Sequence, residues 1–333
     1  MTKTENTVII KGLTKNFDVR FKEAGLAGSI KSLIKPKNIV KRALKGISFT
    51  VSRGELIGFI GPNGAGKTTT LKILSGLLYP TNGFVQVLGF NPWEKKPEFL
   101  KNISLVMGQK NQLWWDLPAI ESLKLNRAIY EISQKDFTER LNKLTDLLDV
   151  GNLLSTQVRK LSLGQRMRLE FVTALIHEPE ILFLDEPTIG LDVIAQQKVR
   201  DFIYEYNLKN RATILLTSHN MNDLLDLTKR VIVIDSGEIL YDGYLSELVR
   251  SFAKEKIIKV YLAKESDIKK FETIGKIIKL DLPYVSLSVP RESAAVAASE
   301  ILQSFAVADL TIEEEPIEGV IRRVFKGEMV KQS

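Results

Sequence analysis

The sequence predicts an α/β fold with a mostly parallel central sheet, followed by a small α+β domain. Glu55–Ile60, Ile181–Leu184, Thr213–Thr217 and Val231–Ile234 are short, nearly continuous apolar segments, as expected for strands buried on both faces. Segments with helical spacing separate them, and polar residues follow several of their carboxyl ends, which is typical of parallel α/β sheets. After about residue 248, shorter alternating segments indicate the second domain.

The composition agrees with two folded domains. The chain has 333 residues, of which 44% are hydrophobic and 26% are charged, and a domain averages roughly 150 residues. It has no cysteine and only two histidines, which excludes disulfide frameworks, thiolate metal sites, cysteine nucleophiles and multi-histidine metal sites. No apolar run approaches the roughly 18–20 residues that cross a bilayer, so we expect the chain itself not to enter the membrane.

Positive charge is concentrated in an insertion near the N-terminus. Short strands are predicted at Val8–Ile10 and Ile47–Val51, and the insertion lies between them at about 18–45. The segment from Arg20 to Lys45 holds eight basic residues and one acidic residue, so it accounts for the whole net charge of +7. Three interpretations stay open: a solvated arm, a segment lying on anionic lipid head groups, or a contact with a partner protein. No groove studded with aromatic residues accompanies the charge, so nucleic acid is not expected.

The other elements follow in chain order. The strand Glu55–Ile60 leads into a glycine-rich loop, Gly61–Gly66, and then a helix whose apolar face holds Leu71, Leu74, Leu77 and Leu78. Residues 118–178 have mostly helical spacing, and we assign about 110–178 to a helical subdomain within a first domain that spans residues 1–248. The second domain, 249–333, is predicted to contain strands at Ile257–Leu262, Val285–Val289 and Val307–Ile312, a helix at Ala294–Leu302, and a final amphipathic helix over Ile317–Phe325.

The strongest local signal is the glycine-rich loop itself. Gly61–Thr68 matches the pattern GxxxxGK[ST], between a strand and a helix as that phosphate-binding motif requires. Glycines let the backbone wrap closely around phosphates with its N–H groups turned inward, and the following helix directs its positive end at the same anion. The lysine can reach the β- and γ-phosphates, and the threonine hydroxyl can ligate Mg²⁺. We therefore assign nucleotide binding to Asn63, Gly64, Ala65, Gly66, Lys67, Thr68 and Thr69, with Lys67 also catalytic.

A second signal is the pair of acids at the end of the strand Ile181–Leu184. Asp185, at the tip of this strand, can hold Mg²⁺ directly or through water. Glu186 is placed to polarise an attacking water molecule or to accept its proton. Together with the phosphate loop, the pair indicates hydrolysis of a nucleoside triphosphate.

The sequence from Leu161 to Gln165, LSLGQ, resembles the LSGGQ signature of the ABC-type ATPases. Further elements of that family occur in its order and cover roughly residues 7–245. Gln109 resembles the Q-loop glutamine, Ile189–Asp192 the D-loop, and His219 the switch histidine. Phe17 resembles the aromatic residue that stacks on adenine, with Phe21 as the alternative.

The resemblance implies a role for each of these residues. Gln109 senses Mg²⁺ and the attacking water, and His219 contacts the γ-phosphate. The serine turn opens a helix, expected at Gln165–His177, whose N–H groups form a second anion site. Two subunits then pair head to tail, and each ATP lies between the Lys67 loop of one chain and the signature turn of the other. The signature residues Ser162, Gly164 and Gln165 and the D-loop residue Asp192 are assigned to the nucleotide. Leu163 stands where the common form of the signature has glycine.

The region after Gln109 is the expected docking surface. In the family, the surface beside this glutamine receives short helices from a membrane partner, and here Gln109–Pro118 contains Trp114 and Trp115. Tryptophan is favoured at interface centres; the alternative is that one tryptophan fills the local core. The stretch Phe90–Trp93, this loop and the small C-terminal domain resemble the bacterial exporter branch, whose separate permease moves drugs, lipids or polysaccharides.

The resemblance thus implies an ATP-hydrolysing homodimer that powers export through a separate permease at the cytoplasmic face of the membrane. Two alternatives remain: the ATPase subunit of an importer, and a soluble ABC ATPase acting on ribosomes or nucleic acid. The single phosphate loop disfavours the soluble alternative, because ribosome-acting relatives usually carry two cassettes in one chain. The transported substrate is not encoded in this chain, since residues that touch it should lie in the permease.

Overall fold

The computed structural model describes residues 6–21, 37–108, 111–218, 221–252, 254–264, 268–315 and 317–325. The chain forms two compact units, Met1–Gly243 and Tyr244–Ser333. The division follows Gly243, whereas the sequence predicts a boundary after residue 248. The difference arises because the helix Leu245–Phe252, which the sequence analysis did not predict, packs against the last helix, Ile317–Phe325.

Six strands form the central sheet of the first unit, in the spatial order β5-β6-β7-β3-β8-β9. Their bounds are β3 Leu56–Ile60, β5 Ile103–Met107, β6 Ile181–Asp185, β7 Thr213–Ser218, β8 Arg230–Asp235 and β9 Glu238–Tyr244. The first five are mutually parallel, which confirms the predicted sheet. Every residue of β3, β6 and β7 is buried, and this cover on both faces explains their continuous apolar sequences.

A second, antiparallel sheet of the first unit has the order β2-β1-β4, with β1 at Asn6–Phe21, β2 at Lys37–Ser52 and β4 at Asn82–Val87. β1 is longer than the predicted strand Val8–Ile10. Its pairing with β2 continues to Phe21↔Lys37, whereas its register with β4 ends at Thr14. A two-stranded ribbon therefore enters the predicted basic insertion, and residues 22–36 between its strands lie outside the described residues.

Seven helices belong to the described part of the first unit: α1 Lys67–Leu74, α2 Pro97–Leu100, α3 Ala119–Ile129, α4 Gln134–Leu148, α5 Leu163–Leu175, α6 Val193–Asn210 and α7 Met221–Leu227. α1 contacts strands of both sheets. It lies beside a core that includes Phe59, Phe99 and Phe183, all fully buried. The phosphate loop that precedes α1 is thereby anchored on two sheets.

Two helix ends differ from prediction. α1 ends at Leu74 because Gly76 has a φ of 74° and the N–H of Leu77 returns to the carbonyl of Lys72 at 2.9 Å, the pattern of a glycine-terminated helix. Leu77 is 59% exposed, so the prediction that it continues the apolar face was wrong. α5 begins at Leu163 and not at Gln165, because Ser162 caps it.

The second unit contains a four-stranded antiparallel sheet with the order β11-β12-β10-β13, which confirms the predicted small α+β domain. Its elements are α8 Leu245–Phe252, β10 Glu255–Leu262, α9 Lys269–Ile274, β11 Lys276–Asp281, β12 Tyr284–Pro290, α10 Ala294–Ser304, β13 Val307–Glu314 and α11 Ile317–Phe325. Phe271 of α9 stacks on Phe305, with ring centroids 3.9 Å apart, inside a core shared with β10 and β12.

Among the helices of the described residues in both units, none combines the length and the apolar character needed to cross a bilayer.

Candidate functional site

The candidate site is a cavity of about 640 Å³ where the phosphate loop meets the carboxyl ends of β5 and β6. The β1–β2 ribbon forms another wall. The predicted site residues that line this cavity are Phe17, Asn63, Gly64, Ala65, Gly66, Lys67, Thr68, Thr69, Asp185 and Glu186. Gln109 and His219, which the sequence analysis assigned to catalysis, lie outside the described residues.

The phosphate loop requires glycine for steric reasons. Gly66 has a φ of 115°, and a Cβ there would lie 2.7 Å from Leu44 Cδ2 and 3.0 Å from the carbonyl oxygen of Ala43. A Cβ at Gly61 would lie 2.3 Å from the carbonyl oxygen of Ile234. Larger residues at these positions would therefore push the loop away from β2 and β8. Gly66 is also the N-cap of α1, so the unpaired N–H groups of that helix begin at the cavity.

Lys67 is a buried cation that faces the acids of β6. Its side chain is 6% exposed, its Nζ donates to the carbonyl oxygens of Gly61 at 2.5 Å and Pro62 at 3.3 Å, and it lies 3.9 Å from Glu186 Oε1. Burial lowers the pKa of Lys67, although Glu186 and Asp185 act in the opposite direction. An anion bound in the loop would stabilise the charged form of this lysine.

Asp185 is held by two hydroxyl groups. Thr68 Oγ1 donates to Asp185 Oδ1 at 2.9 Å, and Thr217 Oγ1 donates to the same oxygen at 2.8 Å. A hydroxyl beside a carboxylate is a donor set that suits Mg²⁺, which also takes ligands from phosphates and water. No cluster of three or more His, Cys, Asp or Glu side chains that could hold a metal occurs in the described ranges.

Glu186 adopts an uncommon backbone conformation. Its φ is 53°, in the left-handed region that residues other than glycine rarely occupy. Its N–H donates to both the carbonyl oxygen and the hydroxyl of Thr217, each at 3.1 Å. Gly108 packs against the opposite side, where a Cβ would lie 2.3 Å from the carbonyl oxygen of Glu186. The carboxylate is thus aimed at the cavity by a turn that is restrained from two directions.

Thr217, Lys41 and Lys72 were not predicted as site residues. Thr217 lies opposite Asp185 in the parallel register of β6 and β7, a signal that the alignment of the two predicted strands could have given. Lys41 pairs with Phe17 across the ribbon, and both line the cavity together with Lys72. Lys15 Nζ lies 4.9 Å from the centre of the Phe17 ring. The alternative aromatic residue, Phe21, has a side chain outside the described part of the chain.

The signature turn is an N-terminal helix cap. Ser162 Oγ accepts from the N–H of Gln165 at 3.2 Å, and Gln165 Oε1 accepts from the N–H of Ser162 at 2.9 Å, which is a capping box. Asp192 likewise caps α6, accepting from the N–H of Ala195 at 2.8 Å. Neither cap residue, Ser162 or Asp192, lines the cavity, although Ile189 at the start of the second turn does. Within one chain, the structure therefore does not bring Ser162, Gly164, Gln165 or Asp192 to the Lys67 loop.

Leu163, the departure from the common signature, packs against the second turn. Its Cδ2 would lie 3.0 Å from a Cβ at Gly190, which has a φ of 73°. Gly164 is similarly close to α6, since a Cβ there would lie 3.1 Å from Ala195 Cβ. The leucine thus packs over a glycine, beside the capping box formed by Ser162 and Gln165.

The loop after residue 110 is fastened to α5 by a buried carboxylate. Glu170 is 3% exposed, and its oxygens accept from the N–H of Gln112 at 3.0 Å and of Leu113 at 3.4 Å. Burial raises the pKa of Glu170 to about 7, against the opposing effect of these N–H groups. Leu113 is buried, whereas Trp114 and Trp115 are about half exposed. The local core is therefore filled by leucine, and both tryptophans present surface to solvent.

Family models match both units of the chain. Residues 44–189 match the family model described as ABC transporter, and residues 254–313 match the EvrA-like ABC transporter, C-terminal domain. The chain is 32% identical over 228 residues to the ABC transporter ATP-binding protein NatA of Bacillus subtilis, covering 68% of this chain and 92% of that protein. It is 30% identical over 282 residues to the daunorubicin resistance ATP-binding protein DrrA3 of Streptomyces coeruleorubidus, covering 85% and 83%.

A third relative and two solved structures extend the comparison. The bacitracin transport ATP-binding protein BcrA of Bacillus licheniformis is 32% identical over 214 residues, covering 63% of this chain and 69% of that protein. An ATP-binding subunit of an ABC transporter superposes with a TM-score of 0.61 at 24% identity, covering 74% of this chain and 93% of that chain. A dimeric ATP-binding cassette bound to ADP and Pi superposes with a TM-score of 0.60 at 23% identity, covering 72% and 98%. These two superpositions show the fold of the first unit.

Proposed function

Because the chain belongs to the family of ABC transporter ATP-binding proteins, we propose that it binds ATP in the cavity beside Lys67 and hydrolyses it to drive export through a separate membrane permease. The observation that carries this proposal is the convergence of three groups on one cavity: the phosphate loop with Lys67, the Thr68–Asp185 pair, and Glu186. Relatives named for bacitracin transport and daunorubicin resistance support the exporter assignment.

In this proposal the triphosphate lies in the loop Asn63–Thr69. Backbone N–H groups and the N-terminus of α1 bind the phosphates, and Lys67 supplies a desolvated positive charge. Phe17 stacks on the adenine, and Lys41 stands opposite it in the same wall. Thr68 and Asp185 would hold Mg²⁺, which neutralises charge on the phosphates when bound.

Glu186 acts on the attacking water. The carboxylate accepts a proton from water as the new bond to the γ-phosphorus forms and the bond to the ADP oxygen breaks, giving ADP and inorganic phosphate. Its short distance to Lys67 supports this role, since the lysine contacts the phosphate that the water attacks. Gln109 and His219 are proposed to contact the metal with its water and the γ-phosphate, as the family resemblance implies.

Two copies of the chain complete each nucleotide site in this proposal. Ser162, Gly164, Gln165 and Asp192 lie at helix starts and do not line the cavity of their own chain. A head-to-tail homodimer would bring these turns onto the nucleotide held by the other copy. α5 has 13 residues, long enough for its N-terminal N–H groups to attract a phosphate.

The membrane permease is proposed to dock on the loop that ends in Trp114–Pro118. Half-exposed tryptophans are favoured at interface centres, and Glu170 and Arg166 of α5 hold this loop, the latter lying 5.6 Å from the Trp115 ring. The chain would then work at the cytoplasmic face of the membrane. The basic insertion, about 20–45, is proposed to rest on anionic lipid head groups; its described part exposes Ile39 and Val40 beside Lys41 and Arg42.

The hydrolysis proposal is tested with three variants in an ATPase assay. We expect Lys67→Ala to lose nucleotide turnover, and Glu186→Gln to keep ATP binding while losing turnover. Glu180→Gln is the matched control, because Glu180 is a partly exposed carboxylate that directly precedes β6, whereas Glu186 directly follows it. Wild-type turnover by Glu186→Gln would refute the role assigned to this carboxylate.

The assembly proposals have separate measurements. Glu186→Gln saturated with ATP should sediment as a dimer, and a monomer, even with the permease supplied, would refute the paired site. Replacing Trp114 and Trp115 by alanine should decrease the amount of permease that co-purifies with this chain from detergent-solubilised membranes. Binding to vesicles containing anionic lipid, but not to neutral vesicles, tests the basic insertion.

A further inference from the structure

The first unit contains a buried polar cluster, and none of its members lines the nucleotide cavity. At its centre is Asp223 of α7, whose side chain is 1% exposed. Its Oδ2 accepts from Thr188 Oγ1 at 2.5 Å and from Ser218 Oγ at 2.9 Å, and its Oδ1 accepts from Arg200 Nη1 at 2.8 Å. A buried carboxylate is thus satisfied by three side chains from three different parts of the first unit.

The two hydroxyl donors belong to the two segments that the proposed hydrolysis uses. Thr188 lies between Glu186 and Asp192, in the turn that connects β6 to α6. Ser218 is the last residue of β7 and directly precedes His219. One carboxylate oxygen therefore joins the segment carrying the proposed general base to the segment carrying the proposed switch histidine.

The cluster is connected to Glu186 through the backbone of the turn that contains Glu186 and Thr188. A non-glycine residue with a φ of 53° persists only where its surroundings restrain it. Thr217 restrains the N–H side of Glu186, and the bond from Thr188 to Asp223 restrains the turn two residues further on. Gln196 of α6 also bonds to the Thr188 carbonyl oxygen, at 3.4 Å. Without the Thr188 hydroxyl, the turn keeps this contact with Gln196 and the backbone bonds from the Leu191 N–H to the Thr188 carbonyl oxygen and from the Ile189 N–H to the Glu186 carbonyl oxygen, each at 3.2 Å, but it loses its side-chain bond to Asp223.

Arg200 supplies a buried positive charge beside the Asp223 carboxylate. Its side chain is 8% exposed, and besides Asp223 it lies 3.3 Å from Asp226 and donates to Gln197 at 2.6 Å. A buried guanidinium needs a buried counter-charge, and Asp226 is 53% exposed. Arg200 therefore pairs with one oxygen of Asp223, while the other oxygen accepts from both hydroxyls.

We infer that Asp223 is a positioning residue for ATP hydrolysis, which couples the Glu186–Asp192 turn to the end of β7 through Thr188 and Ser218. The inference rests on the proposed function. It assigns Asp223 no contact with nucleotide, so its loss should reduce the rate of the chemical step and leave nucleotide affinity nearly unchanged. The inference also requires Thr188 and Ser218 to affect hydrolysis through the same group, the Asp223 carboxylate.

The central experiment compares kcat and KM for ATP in Thr188→Val, which removes one hydroxyl and keeps the Asp223–Arg200 pair. We expect kcat to fall at least tenfold, KM to change less than threefold, and the melting temperature to stay within a few degrees. Thr145→Val is the matched control, because Thr145 is also buried and its hydroxyl bonds to the Leu141 carbonyl within α4. It should keep the wild-type kcat.

A double-mutant cycle tests the coupling. Ser218→Ala should also lower kcat, and the double variant Thr188→Val/Ser218→Ala should lose little more than the more impaired single variant, because both hydroxyls act through Asp223. Independent, multiplying losses would overturn the coupling. An unchanged kcat in Thr188→Val, or a kcat loss matched by an equal loss of ATP affinity, would overturn the positioning role. Absence of turnover in the wild-type protein would instead refute the proposed function itself.

Discussion

Replacing Glu170 by glutamine should change how the stability of the first unit depends on pH. Burial raises the pKa of Glu170 to about 7 in the folded protein, from 4.5. Between these values the unfolded chain has released the proton that the folded chain retains, so the free energy of unfolding decreases as pH rises. The stability contributed by the protonated carboxyl is complete below pH 4.5 and lost as pH passes through about 7.

The magnitude follows from the two pKa values. At about 1.4 kcal/mol per pKa unit, the difference between 4.5 and about 7 corresponds to about 3 kcal/mol. Glutamine does not ionise in this range, so the variant lacks this dependence. The stability of the wild type relative to Glu170→Gln should therefore fall by about 3 kcal/mol between pH 4.5 and pH 8.

Urea unfolding followed by tryptophan fluorescence measures this difference. The chain has three tryptophans, Trp93, Trp114 and Trp115, and all lie in the first unit, so the signal reports that unit alone. Glu139→Gln is the control, since Glu139 is an exposed glutamate on α4; its effect should stay within about 0.5 kcal/mol. A stability difference that is independent of pH, or that grows in favour of the wild type with rising pH, would refute the reasoning.

Three further predictions follow from the packing of the site and the core. Gly108→Ala should lower ATP turnover at least tenfold, because its Cβ would lie 2.3 Å from the carbonyl oxygen of Glu186. Phe183→Ala should reduce the free energy of unfolding of the first unit by about 3–5 kcal/mol, measured by urea unfolding, since this ring is fully buried. Thr217→Val should raise the Mg²⁺ concentration that gives half-maximal ATPase activity, because Asp185 loses a hydroxyl donor at 2.8 Å.

Each of these has a control in the same chain. Gly151→Ala should keep normal turnover, because the nearest atom to its Cβ would be 3.9 Å away. Leu208 is 60% exposed, so Leu208→Ala should change stability by no more than about 0.5 kcal/mol. Thr173→Val removes a hydroxyl bond inside α5 and should leave the Mg²⁺ dependence unchanged. A control that behaved like its test variant would contradict the corresponding argument.

The strands that carry the chemistry were predictable because they are covered on both faces. β3, β6 and β7 are apolar throughout, so their sequences show strand-sized blocks without any knowledge of their neighbours. β4 and β9 were not predicted. They have mixed burial along their lengths, and β4 contains Gly83, so neither strand has a strong alternating or continuous pattern.

Within the site, residues that belong to local motifs could be predicted from the sequence, whereas residues placed by tertiary contacts could not. The phosphate loop and the acids of β6 are contiguous in sequence, and each could be identified from its own residues. Thr217, Lys41 and Asp223 acquire their places only through strand register or through side chains distant in sequence. The roles of Gln109 and His219 depend on family resemblance alone and stay predictions.

The Ser162 hydroxyl can accept one hydrogen bond and donate another. Its oxygen already receives the N–H of Gln165, yet the hydroxyl proton remains available for donation, and the side chain is exposed. An alanine at this position would remove a helix cap, worth about 1 kcal/mol, and with it the hydroxyl proposed to donate to a phosphate oxygen held by the other copy, whereas threonine would retain both. In the proposed homodimer, an alanine at Ser162 would therefore weaken the start of α5 together with closure on ATP, and a change in the partner surface would be needed to alter closure alone.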